Sequence, residues 1–140
     1  MAFKFEELRV WEMAISLSAE VNVLIKTFPV EERFVLSSQF QRAADSVALN
    51  IAEGSTGQST AEFKKFLGYS IRSGIEVISC LYLGKKRGII YEEDFSKLYS
   101  TYESLIVKIQ ALKNSFWLVV WLHNQSAVDS ELLTFQNVNG

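Results

Sequence analysis

The stretch "FSKLYSTYESLIVKIQALKNSFWLV", residues 95 to 119, constrains the fold more than any other. Phe95, Leu98, Tyr102, Leu105, Ile109, Leu112, Phe116 and Val119 recur at alternating three- and four-residue steps without a break. At 3.6 residues per turn that spacing keeps every apolar side chain on one stripe, the pattern of a helix packed along its length on other helices. A strand would need period two, which this segment lacks.

Three further segments carry the same kind of period. Val10, Ala14, Leu17, Val21, Leu24 and Phe28 predict a helix from about Glu6 to Thr27, stopped by Pro29, the one proline in the chain. "VEERF" then predicts the start of a second helix, with acidic residues where the macrodipole favours them. Its stripe is Leu36, Phe40, Ala43, Val47 and Ile51, and Gly54 is expected to end it as a left-handed residue. Ser59 with Glu62 forms a capping box that starts a third helix near Thr60. That helix has two apolar stripes: Phe63, Leu67, Ser70, Gly74, Val77 and Leu81 on one, and Ile71, Ile75, Ile78 and Tyr82 on the other. A helix apolar on two sides is central or intermolecular. "GKKRGII" makes a glycine-bounded turn into the fourth helix.

Short connections between four amphipathic helices predict an all-α, antiparallel up-and-down four-helix bundle, oligomeric through its remaining apolar surface. The 140 residues, 49% apolar and without a linker, fit one such domain over residues 1–123. In the tail, 124–140, the helical period fades and loose order is expected. Trp117 and Trp121, adjacent on a helix, are expected to be covered by something.

Several functions are disfavoured. A di-iron bundle needs paired Glu-x-x-His motifs, and His123 is the only histidine, so neither that site nor the usual zinc sets can form. Walker, G-x-S-x-G and G-x-G-x-x-G motifs are missing from the sequence. No catalytic residue, metal or cofactor is expected, and the protein reads as no enzyme. The lone Cys80 sits in an apolar helical run, as a buried thiol in a reducing, cytoplasmic setting does. The longest apolar run, "FWLVVWLH", is far short of the ~20 residues of a membrane span, so no membrane partner is expected.

What remains is the polar series in "RAADSVALNIAEG". Gln39, Arg42, Ser46, Asn50 and Glu53 follow three-four-four-three spacing and share one side of the second helix. Together with Gly74 and an Arg72–Glu76 pair on the third helix, they read as a polar seam within or between bundles, ahead of a solvated face or a ligand site. Removing Asn50 or Arg42 is expected to leave partners unpaired. Nucleic acid is the alternative. Its candidate contacts are Lys64 and Lys65 in "FKKF" and Lys85, Lys86 and Arg87 in "KKR", on a chain whose net charge is −2.

The segments "FEELRVWEMAISLS", "FPVEERFVLSSQFQRAADSVALNIAEG", "STAEFKKFLGYSIRSGIEV" and "LGKKRGIIYEEDF" resemble the small bacterial proteins of the 23S rRNA intervening-sequence family, S23. The most specific part is Arg42-Ala43-Ala44, Ser46 and Asn50 to Gly54. The resemblance implies an antiparallel four-helix bundle assembled as a homopentamer, with a biochemical role that is poorly defined. A similar fold serves as an accessory subunit of retroelement reverse transcriptases, which makes RNA, DNA or such a polymerase the partners implied by analogy. The chain departs from the family pattern in having Ala48-Leu49 where a proline is usual, and "STGQST" where basic residues are expected.

Overall fold

The computed structural model describes the backbone of residues 3–57 and 59–138, and side chains as far as Phe116 apart from residue 58. Among the described residues the chain is helical without strands. A 3-10 turn, Lys4–Glu7, precedes α1, Arg9–Ile25; a second, Val30–Glu32, precedes α2, Leu36–Ser55; then follow α3, Thr60–Lys86, and α4, Glu92–Val138.

The helices meet in a closed cycle: α1 with α2, α2 with α3, α3 with α4, and α4 with α1. Across three of these pairs the residue numbers run in opposite directions. Ser18 meets Asp45 and Asn22 meets Gln41; Gln39 meets Glu76 and Ser46 meets Ser73; Tyr82 meets Phe95 while Gly74 faces Ile106.

The apolar stripes form the core. Leu17, Val21, Phe40, Val47, Ile51, Leu67, Val77, Leu81, Tyr102, Leu105 and Ile109 are all buried in one cluster, with Ile71, Ile78, Leu112 and Phe116 packed at its edge. The second stripe of α3 divides in two. Ile71 and Ile78 are half-buried, whereas Ile75 and Tyr82 stay exposed, at 56% and 54%.

Two expected boundaries shift. "VEERF" forms only a 3-10 turn, and α2 proper begins at Leu36, whose amide donates to the Glu32 carboxylate at 3.3 Å. Gly54 does not end α2 in the left-handed region. It is helical and buried, and a Cβ there would lie 2.6 Å from the Phe66 Cβ, so its lack of a side chain serves the approach of α3 rather than a turn. The left-handed glycine is Gly88, φ 74°, which closes α3. Ser59 caps α3 as expected, accepting from the Glu62 amide at 3.1 Å. The α4 backbone continues as helix to Val138. The expectations for the side chains of Trp117, Trp121 and His123, and for loose packing of 124–140, lie outside the described side chains.

Candidate functional site

The polar residues of α2 separate into three directions, because a three-four-four-three series still drifts around the helix. Gln39, Ser46 and Asn50 face α3. The Ser46 and Ser73 hydroxyls are 2.8 Å apart, Asn50 donates to the Ser46 hydroxyl at 3.0 Å and to its carbonyl at 2.9 Å, and Gln39 reaches Glu76 at 3.4 Å. Buried Ser70 donates to the Val47 carbonyl at 2.7 Å. Gly74 lets α4 approach: a Cβ there would sit 2.9 Å from Ile106.

Arg42 and Glu53 turn outward with Leu49, all three exposed. Neither side chain has a hydrogen bond or ion pair among the described residues, so removing Arg42 leaves nothing unpaired within one chain. The i,i+4 pair expected between Arg72 and Glu76 is likewise not formed among the described residues. Glu76 receives Gln39 instead.

The third direction, toward α1, was not singled out from sequence. Asp45 accepts from Ser18 and, at 2.8 Å, from Gln41; Gln41 also donates to the Ser18 hydroxyl at 3.1 Å and accepts from Asn22 at 3.1 Å. Tyr102 closes this region from α4. Its hydroxyl is buried without a hydrogen-bond partner, and burial first, then the charges of Asp45 and Glu20, push it well above the ordinary phenol range. The available signal was a pair of i,i+4 steps, Ser18 to Asn22 on α1 and Gln41 to Asp45 on α2, which face each other only once the helices are paired.

The basic candidates do not form one patch. Lys64 and Lys86 are separated by 22 residues of α3, about 33 Å at 1.5 Å per residue. At the far end Lys85 is bonded to Glu92 at 2.6 Å and lies 4.3 Å from the Phe95 ring centre, while Arg87 is bonded to Glu32 at 3.0 Å. Lys65 sits 5.8 Å from the Tyr69 ring centre. It lines a groove of about 350 Å³ between α3 and α4 whose walls include Tyr69, Arg72, Gln110 and Lys113. Arg72, seven residues on along α3, shares the face of Lys65, whereas Lys113 on α4 is a cation that spacing along one helix could not join to them.

Cys80 is buried, and its thiol is pushed up to about 11, by burial first and by Glu76 second, with Arg87 opposing. Among the described residues no group of three or more His, Cys, Asp or Glu could hold a metal ion, and no helix is long and apolar enough to cross a membrane.

The profile of the 23S rRNA-intervening sequence proteins matches residues 6–111. The chain belongs to that family. A crystal structure of a protein with unknown function from the S23 ribosomal protein family of Bacteroides thetaiotaomicron superposes with a TM-score of 0.70 at 22% identity, covering 75% of this chain and 95% of that one. At that identity the likeness speaks for the fold alone. No curated protein matches the chain. The matched segment takes in the whole of α2 and α3, so both polar seams and the α3–α4 groove apart from Lys113 lie on the part of the molecule that the family shares.

Proposed function

We propose that this protein is a non-enzymatic, cytoplasmic, up-and-down four-helix bundle that self-associates, as a homopentamer by the family resemblance, and works as a scaffold or binding module. The observation that carries the reading is the second stripe of α3, where Ile75 and Tyr82 stay more than half exposed on a helix whose other face is core. Large apolar side chains uncovered along a regular helix are what an intermolecular contact covers. Val107 on α4 and Leu49 on α2 add to the uncovered surface.

Light scattering across a concentration series tests it. A single multi-chain species is expected, and Ile75→Glu is expected to lower its mass while leaving the helical melt of the fold in place. A monomer at every concentration overturns the reading.

The α3–α4 groove favours a second reading, an accessory protein that binds RNA or DNA or serves a reverse transcriptase. Lys65, Arg72 and Lys113 share a wall with Tyr69, a combination suited to phosphates and a stacked base. Repetition of the groove in an oligomer would offset the net charge of −2 through multivalency. Binding of a labelled structured RNA and a DNA duplex over a salt series tests this. A steep loss with salt, weakened by Lys65→Ser and Arg72→Ser, supports it, and no binding at low salt removes it.

A further inference from the structure

Where α1 ends and α2 begins, the chain forms an open pocket, about 700 Å³ in volume, within the range of small-molecule sites. Ile25, Phe28 and Phe34 supply its apolar wall, and Lys26, Arg33 and Arg42 supply three cations. No Asp or Glu lines it. Neighbouring Glu32 is already engaged by Arg87 and by the Leu36 amide.

The polar end of the cavity is the first turn of α2. The Leu36 amide reaches Glu32 and the Gln39 amide reaches the Val35 carbonyl, whereas the amides of Ser37 and Ser38 have no backbone acceptor among the described residues. Both serines line the cavity. Ser37 is only 8% exposed, and its hydroxyl makes no hydrogen bond among the described residues. A hydroxyl on a nearly buried residue, open to the pocket and without a partner in the chain, lies beside amides free of backbone acceptors at the positive end of a 20-residue helix, and together they form a donor set that faces the pocket. Arg33 is held over the Phe34 ring, 5.6 Å from its centre, at the mouth between charge and apolar wall.

We propose that this cavity binds a small phosphomonoester with an apolar body, the phosphate against Ser37, Ser38, Arg33 and Arg42 and the body against Ile25, Phe28 and Phe34. A phosphate dianion has acceptors for several of these donors at once, which a carboxylate matches only in part and an alcohol does not. The pocket shares no lining residue with the α3 stripe or the α3–α4 groove, so its test is distinct from the tests of the readings built on them.

Calorimetry with the full chain tests it, using octyl phosphate, octanoate and octanol as probes whose apolar chains differ by no more than one carbon. Octyl phosphate is expected to bind saturably at one per chain, with octanol about tenfold weaker or worse for want of the charged hydrogen bonds. Arg33→Gln and Arg42→Gln together, and Ser37→Val alone, are expected to weaken octyl phosphate about tenfold without changing octanol. Lys108→Gln, an exposed cation of α4 outside both pockets, is expected to change nothing. Thermal melts of each variant separate lost binding from lost fold. Equal affinity for octanol, octanoate as tight as octyl phosphate, an equal loss in the Lys108 control, or no binding at millimolar probe each overturns the proposal.

Discussion

Helix α2 presents two seams that solve the same problem differently. Toward α3 the contact is close and, apart from the exposed Gln39–Glu76 bond, neutral. Gly54 admits the Phe66 Cβ, Ser70 bonds straight to the Val47 carbonyl, and Ser46, Asn50 and Ser73 share short hydrogen bonds. Toward α1 the contact is built around a half-buried carboxylate, Asp45, supported by Ser18 and Gln41, with Asn22 bonded to Gln41 behind them. The first seam tolerates no added volume, and the second tolerates no lost donor. Volume and charge are thus controlled on opposite flanks of one helix, which leaves the outward face, with Arg42, Leu49 and Glu53, free of structural duty within the chain.

The strongest challenge to that contrast is Gly54→Val. With even a Cβ placed 2.6 Å from the Phe66 Cβ, the helices must separate, and a loss of about 3 kcal/mol in denaturant unfolding is expected. An unchanged midpoint would mean the α3 seam is not close-packed. Next is Gln41→Leu, expected to cost about 2 kcal/mol because Asp45 keeps only Ser18 and Asn22 loses its acceptor. The double variant with Asp45→Leu should cost less than the sum of the two single losses, since the carboxylate left short of donors is then gone. Additive losses would show that the α1 seam does not depend on the charge.

Ser46→Ala sharpens the comparison at a smaller scale. About 1 kcal/mol is expected from loss of the bonds to Ser73 and Asn50, against less than about 0.5 kcal/mol for Glu53→Gln on the outward face. Equal effects would erase the distinction between seam and surface.

Cys80, one turn on from Glu76 along α3, gives the gentlest probe. With its folded pKa raised from 9.0 to about 11, the folded state favours the neutral thiol. Its contribution to stability is therefore whole below pH 9 and lost as pH rises from 9 toward 11, a loss that Cys80→Ala should reduce in melts across that range, most clearly below pH 10 where Tyr102 does not yet add to it. A thiol reagent at pH 8 should modify Cys80 only as fast as the protein opens.

Much of this architecture was legible along the chain. The periods of Val10 to Phe28, Leu36 to Ile51, Phe63 to Leu81 and Phe95 to Ile109 each name a stripe that is buried in the core, apart from small shifts at the ends. Gly54 was misread because its identity suits both a left-handed turn and a close helix approach, and only the position of Phe66 separates the two. The candidate seam was legible in part. Gln39, Ser46 and Asn50 do face α3, but Arg42 and Glu53, spaced by the same rule, have drifted far enough around the helix to face away.

By itself, then, the sequence determined the number of helices, which stripe of each is buried, and where Ser59 and Pro29 punctuate them, since periodicity and capping are local and the chain carries them wherever it goes. Only the tertiary structure decided which polar groups became partners. Asp45 with Ser18, Arg87 with Glu32, and the gathering of Lys26, Arg33, Ser37 and Arg42 around one cavity join residues from different elements, and helix pairing sets those distances. The physical reason is range. A hydrogen bond or ion pair acts over a few ångströms in space, and separation along the chain says nothing of that until the apolar stripes have brought the helices together.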